Sequence, residues 1–319
     1  MVLNVVFLGT SQFAVPSLQA LLNSGDFSVT GVFTQPDRRA GRGKKICCPP
    51  VKVLASEYGV EVYQPERIRS NENALETMKR LNPDIAVVVA FGQILPEEFY
   101  TVPRLGTVNV HSSLLPAYRG ASPVVRAILN GDKVTGVSIM KIDKGMDNGD
   151  VLAMKEVPVP PTATAGYMEK VLASEGAGLL VNTVIEYSMG RIKPVKQDHE
   201  KATYAPKLSK KDGIINWDRP SSEIHNQIRA MNPWPGSVTS FRGGRLEVKI
   251  WKSEVSDRKT DYGTSPGTIC SLDHEGVEVA CGSETSLKVR EVQLCGRSRI
   301  SAYDFVNGCR VIAGEVLGE

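Results

Sequence analysis

The sequence predicts an α/β protein: a Rossmann-like, mostly parallel sheet with helices on both faces, followed by a small OB-like β-barrel domain. Three observations predict it. Apolar runs of strand length alternate with helical spacings up to residue 189. One run, Ile85, Ala86, Val87, Val88, Val89 and Ala90, is continuous and largely β-branched, as a strand covered on both faces must be. Beyond residue 208 the helical spacing gives way to short β-like runs punctuated by glycine and serine.

In chain order, Val5, Val6, Phe7 and Leu8 read as a buried first strand. Val15, Leu18, Leu21 and Leu22 recur at helical spacing, with Gly25 as the stop. Residues 29–33 form a second strand, Pro50 opens a helix that ends near Gly59, and residues 60–63 form a third strand. After the run at 85–90 come a strand at 107–110, a helix at 123–130 with proline early and Gly131 after it, and a strand at 134–142. Met168, Val171, Leu172, Leu179, Leu180 and Val184 mark a long last helix. These elements give one domain over 1–189. A polar, basic linker over 190–208 leads to a C-terminal domain over 209–319. There one amphipathic helix at 221–231 precedes strands near 238–241, 246–251, 267–272, 277–281 and 287–292, and a short final helix follows Ser301. About five strands in roughly 100 residues suggest a small barrel, of which the OB-like form is one option.

Composition narrows the function classes. The chain is 41% hydrophobic and 23% charged, as globular proteins are. Its apolar N-terminus is too short to span a bilayer and has no basic residue before it, so the expected location is cytoplasmic, with no membrane partner. Six cysteines without a C-x-x-C pair, and four histidines without ligand spacing, read as reduced thiols and no metal site. Net charge is only +3, but it is unevenly spread. Residues 38–45 hold five basic side chains and no acid, and residues 191–211 hold seven against two. The two segments are either solvated loops or local contacts to a polyanion.

Three stretches carry possible chemistry. Gly9 to Ala14 occupies the place of a dinucleotide fingerprint but lacks its second and third glycines, which leaves a plain turn or a site for a lone anion. Asn109 and His111 stand two apart on one strand and so share a face, at the carboxyl end where open α/β sheets bind ligands. An amide and an imidazole there suit oxyanion stabilisation and proton transfer, although a structural histidine and a turn-forming asparagine remain the plain alternative. The third stretch, 143–150, follows the strand ending at Ile142, so it too is expected at a carboxyl end. Its three acids and two glycines do not have EF-hand spacing; one carboxylate could orient His111, or the stretch is an acidic turn.

Taken together, Asn109-x-His111, then Ser113, Leu114, Leu115 and Pro116 with Gly120 beyond, then the stretch from Gly145 to Asp150, resemble the active site of 10-formyltetrahydrofolate-dependent formyltransferases. The basic segment from Phe33 to Lys45 is similar to a loop of the members that act on methionyl-tRNA. Asn232-Pro233-Trp234-Pro235 and residues 204–209 fit as well, which extends the resemblance to almost all 319 residues. Asn148 and Arg39 depart from the usual family residues without touching the Asn, His and Asp set.

The resemblance implies transfer of a formyl group from 10-formyltetrahydrofolate, as co-substrate, to the α-amino group of methionine on initiator methionyl-tRNA, by a monomer and without a metal. It implies Asn109, His111 and Asp147 as catalytic residues. It implies a folate pocket of Phe91, Gly92, Ile94, Leu95, Ser113, Leu114, Leu115 and Pro116, and tRNA contacts at Arg38, Arg42, Gly43, Lys44 and Lys45. The alternative acceptor is an amino sugar nucleotide, which would leave the basic segments without a role. A tRNA-binding protein with an inactive catalytic domain conflicts with the complete Asn, His and Asp set. A dinucleotide oxidoreductase conflicts with the missing glycines.

Overall fold

The computed structural model describes residues 2–40, 45–261 and 263–319. The chain forms two compact units that interleave along the sequence. One comprises Met1–Pro123, Val134–Pro158 and Glu169–Ala205; the other comprises Val124–Lys133, Val159–Met168 and Pro206–Glu319.

The elements begin with β1 (Leu3–Gly9), α1 (Val15–Asn23), β2 (Phe27–Phe33), β3 (Arg38–Ala40), β4 (Lys45–Cys47), α2 (Pro50–Glu57), β5 (Val62–Tyr63), α3 (Glu72–Leu81), β6 (Ile85–Val89), α4 (Glu97–Tyr100), β7 (Thr107–His111) and β8 (Arg119–Gly120). Then follow α5 (Pro123–Leu129), β9 (Val134–Lys141), β10 (Val151–Pro158), α6 (Ala165–Ser188) and β11 (Tyr204–Ala205). Seven strands make the main sheet in the order β10-β9-β7-β6-β1-β2-β5. β5, β2, β1, β6 and β7 run parallel, β9 is antiparallel to β7, and β10 is antiparallel to β9.

All five residues of β6 are buried. On one face, Val6, Leu8, Ala86 and Val88 pack with Met78 of α3 and Phe99 of α4. On the other face, α6 approaches closely through Gly176, where a Cβ would stand 3.0 and 3.2 Å from methyls of Val110 and Val137. A side chain there would push the helix off the sheet. Three elements carry little sequence signal. Helix α3 fully buries only Ala74 and Met78, with Leu75 and Leu81 half-buried against the core and the rest polar, so its clearest mark is the Asn71 cap, whose side chain accepts from the Ala74 N–H at 3.0 Å. Helix α4 is a single turn. Edge strand β10 exposes Lys155 and Glu156, which masks its alternation.

The second unit adds α7 (Ser221–Ala230), β12 (Ser237–Phe241), β13 (Leu246–Ser256), β14 (Ile269–Asp273), β15 (Gly276–Cys281), β16 (Thr285–Leu294), β17 (Arg299–Ser301) and α8 (Ala302–Cys309). Its antiparallel sheet has the order β12-β13-β16-β15-β14, with β17 on β16. Bridges from Leu317 to Phe241 and from Val316 to Thr268 join the two edge strands through the C-terminal segment, so the sheet curls into a small barrel. Val248, Ile250, Val279, Leu287 and Phe305 fill it, with Ile224 and Ile228 of α7. Arg229 ties the two outlying stretches to this unit, donating to the Ala163 carbonyl at 3.4 Å and the Ile128 carbonyl at 3.5 Å.

Asp84 staples the start of β6. Its Oδ2 accepts from the Asn4 N–H at 2.9 Å and its Oδ1 from Arg104 Nη2 at 2.9 Å. The Asn4 N–H first, and Arg104 second, hold its carboxyl below the usual carboxylate range. That contribution is present above the unfolded-state pKa and is lost as pH falls through the lower folded value. Asp84→Ala is therefore expected to cost about 1–3 kcal/mol near pH 7. Urea unfolding should show the gap to wild type narrowing below about pH 4, and a gap that stays constant into stronger acid would refute this account.

Candidate active site

Asn109 and His111 lie at the carboxyl end of β7, on the face they share with Met140 and Ser138 of β9. Val110 between them faces α6. The alternation of a strand thus turns one side chain into packing and presents two for chemistry. The half-buried Asn109 amide has no hydrogen-bond partner among the described residues. His111 is 6% exposed. Its Nε2 lies 3.1 Å from the Tyr118 carbonyl oxygen, and a carbonyl can only accept, so Nε2 carries a proton. Nδ1 is left to face Asp147 Oδ2 at 3.8 Å, beyond hydrogen-bond length but close enough for electrostatic coupling. Asp147 itself stands at φ +48°, and its Oδ2 accepts from the Gly120 N–H at 2.8 Å.

The structure corrects how Asp147 reaches His111. Because β9 runs antiparallel to β7, Lys141 pairs with Val108 while Ser138 pairs with His111. The loop after β9 therefore departs beside the start of β7, not at its carboxyl end. It must fold back over three residues, about 10 Å. Gly149 permits a close turn against β9, since a Cβ there would collide with the Lys141 carbonyl oxygen. Within this loop, partial burial and then the neighbouring Asp150 push the Asp143 carboxyl above its usual range.

Around this centre the loops after β1, β2 and β6 are tied together. Thr10 Oγ1 donates to the Phe91 carbonyl at 2.8 Å and accepts from the Gln35 N–H at 3.3 Å, while Gln35 Nε2 donates to the Phe91 and Gly92 carbonyls. The Gly9 to Ala14 stretch is thus a strand-to-helix turn whose hydroxyl organises its neighbours. Phe91 is buried, Gly92 is exposed at φ +81°, and Leu95 packs on the core beside Phe99. Ile94 is 84% exposed. In the next loop, Ser113 Oγ donates to the Ala117 carbonyl at 2.6 Å. Ser138 Oγ donates to the Ser113 carbonyl and accepts from the Leu115 N–H. Leu115 packs with Met140 and Val151, Leu114 lies over Gly136, and the Pro116 carbonyl accepts from the Thr203 N–H. The side chains of Phe91 and Leu115 are thereby committed to packing, and Ile94 is the apolar one left open.

The basic segment is framed by a hairpin. β3 pairs with β4, Arg38 opposite Cys47 and Ala40 opposite Lys45. The exposed Arg38 donates to Gln35 Oε1 at 2.8 Å, and Asp37 anchors the base through Lys52 and Gln64. Arg42, Gly43 and Lys44 lie outside the described residues. Three residues without local sequence signal join the site: Tyr118 through its carbonyl, and Arg119 and Gln197 through side chains buried against the Asp147 loop. A backbone acceptor has no residue signature, and Gln197 is 50 residues from Asp147 in sequence. Among the described residues, no group of three or more His, Cys, Asp or Glu side chains is arranged to hold a metal ion, and no helix is long and apolar enough to cross a membrane.

A family model described as formyl transferase matches residues 3–184, and one described as formyl transferase, C-terminal domain, matches residues 207–310. The chain is 42% identical over 315 residues to the methionyl-tRNA formyltransferase of Clostridium novyi, covering 99% of this chain and 100% of that one. It is 47% identical over 313 residues to that of Symbiobacterium thermophilum, covering 98% and 94%. Among solved structures, WlaRD, a sugar 3N-formyl transferase in the presence of dTDP and 5-N-formyl-THF, superposes with a TM-score of 0.67 at 20% identity, over 93% of this chain and 100% of that one. HypX from Aquifex aeolicus in complex with tetrahydrofolic acid gives 0.60 at 15% identity, over 96% of this chain and 47% of its own. At such identities the likeness is one of fold.

Proposed function

The chain belongs to the formyltransferase family, and from that premise we propose that it moves the formyl group of 10-formyltetrahydrofolate onto the α-amino group of methionine carried by initiator methionyl-tRNA. The observation that carries the acceptor is the 42–47% identity, over nearly the full chain, to proteins named methionyl-tRNA formyltransferase. An amino sugar acceptor is supported by likeness of fold alone.

The reaction sets two demands. One N–C bond forms from the amine to the formyl carbon and another breaks at N10, so the amine loses a proton and N10 gains one. Negative charge also gathers on the formyl oxygen. The amine needs little activation, since a free α-amine has a pKa of about 7.7–8.0 and an ester link lowers it. Asn109, whose amide is unpartnered, donates to the formyl oxygen as charge develops. His111 keeps Nε2 on the Tyr118 carbonyl, so its proton traffic runs through Nδ1, toward the oxyanion and N10. Asp147 receives the amine proton, directly or through water, and passes it to Nδ1, 3.8 Å away, and the imidazolium so formed delivers it to N10 as the bond from the formyl carbon to N10 breaks.

The donor would lie along the exposed Gly92 and Ile94 and against the backbone of the loop from Ser113 to Pro116, with Phe91, Leu95, Leu114 and Leu115 setting the shape from beneath. Arg38, Arg42, Gly43, Lys44 and Lys45 would receive the acceptor end of the tRNA. Arg42 is assigned the forked contact and the lysines the phosphates. The basic stretch 191–211 would extend this surface, because residues 209–319 hold 15 basic and 15 acidic side chains and carry no net attraction of their own.

Labelled formyl from 10-formyltetrahydrofolate is expected on charged initiator tRNA, and not on free methionine or elongator methionyl-tRNA. Absence of transfer to any tRNA, together with slow turnover of the donor, would redirect the assignment to an amino sugar acceptor. Asn109→Ala is expected to lower kcat by about 10²–10³ and His111→Ala by about 10²–10⁴, with circular dichroism unchanged; wild-type turnover by either variant refutes its role. Arg42→Ala should raise KM for the tRNA by roughly tenfold or more while donor binding, followed by fluorescence, stays unchanged.

A further inference from the structure

We propose that Gln197, from the basic stretch after α6, is a positioning residue that holds Asp147 in register with His111. The inference rests on the role given to Asp147 above. The loop after β9 leaves at the far end of β7 and has to return, and Asp147 sits in the left-handed region at φ +48°, one of several conformations open to an aspartate, so its surroundings have to select it. Gln197 supplies that selection. Its Nε2 donates to the Asp147 carbonyl at 2.9 Å and to the Gly149 carbonyl at 2.7 Å. Its Oε1 accepts from Arg119 Nε at 3.1 Å and Nη2 at 2.7 Å. Two donors and two acceptor sites are all that an amide has, and each is used. Gln197 is 8% exposed and Arg119 is 3% exposed, so these bonds are shielded from water.

The arrangement closes into a ring. Gly120 holds the Asp147 carboxylate, the adjacent Arg119 holds Gln197, and Gln197 holds the Asp147 carbonyl. The pairing of β8 with β11 secures the ring from behind, and Arg119 Nη2 also donates to His199 Nδ1 at 3.0 Å. Backbone and carboxylate of Asp147 are thus clamped separately, which fixes the direction of the carboxylate as well as its place. A glutamate at position 197 keeps the size and the Arg119 partner but loses both donors and turns a charge toward two carbonyls.

The test is a double-mutant cycle of Gln197→Ala and Gln197→Glu with Asp147→Ala, assayed by steady-state formyl transfer on the intact chain. Each Gln197 variant alone is expected to lose on the order of 10²-fold in kcat, with KM for 10-formyltetrahydrofolate and for methionyl-tRNA essentially unchanged. In the Asp147→Ala background the same changes should cost nothing further. Wild-type kcat in both Gln197 variants overturns the proposal, and so does an equal loss in both backgrounds, which would mean that Gln197 acts through general structure. If Asp147→Ala alone is fully active, the role of Asp147 itself falls, an outcome separate from either result for Gln197. Should Gln197→Ala fail to fold by circular dichroism, the isosteric Gln197→Glu carries the cycle.

Discussion

Burial of β6 on both faces is the constraint on which the first unit depends. Its five residues can be dry only if helices cover the sheet above and below, as α3 and α4 do on one side and α6 does beside it on the other. With both faces covered, backbone polar groups come free only at strand ends. The loops after β1, β2, β6 and β7 therefore carry the polar chemistry, and Thr10 and Gln35 bind three of them into one rim. The position of Asn109 and His111 follows from this packing, since Val110 between them is taken up by the contact with α6.

The antiparallel insertion of β9 adds a difficulty that the fold answers with hydrogen bonds. The loop that brings Asp147 beside His111 sets out from the opposite end of β7, and it contains two glycines and a left-handed aspartate. Such a loop has little intrinsic preference for one conformation. Its order comes from Gly120, Arg119 and Gln197, which lie outside it in sequence; Gln197 sits in the stretch 191–211, whose net positive charge suggests only a polyanion contact when read by composition. Part of that stretch serves the interior of the site and part remains exposed, so one segment can support both the reacting groups and the proposed RNA surface.

The second unit reaches closure by different means. Its sheet becomes a barrel when residues 316 and 317 bridge the edge strands, and Arg229 draws two outlying stretches of chain onto it. Closure removes exposed strand edges, which suits a domain with no net charge to discourage self-association. Local patches rather than overall charge then have to provide any affinity for nucleic acid.

Much of this was legible in the residues. Continuous β-branching marked β6, apolar spacing marked α1 and α6, and alternation placed Asn109 and His111 on one face, because burial and strand period are local properties of the chain. The clustering of Asn109, His111 and Asp147 was suggested by resemblance. For the loop 143–150 the local pattern does not say which end of β7 it leaves from, since strand direction depends on partners that such a pattern does not name. Helix α3 and strand β10 carry little signal in the sequence because their charged faces dilute the apolar pattern. By itself, then, the sequence determined where the strongly apolar strands and the helices α1, α2, α5, α6 and α7 fall, and it offered Asn109 and His111 as side chains that could do chemistry. Only the tertiary structure decided that β9 runs backwards, that the Tyr118 carbonyl sets the His111 tautomer, and that Gln197 and Arg119 close a ring around Asp147. Backbone acceptors and hydrogen bonds spanning 50 to 78 residues leave no periodicity in the chain that makes them.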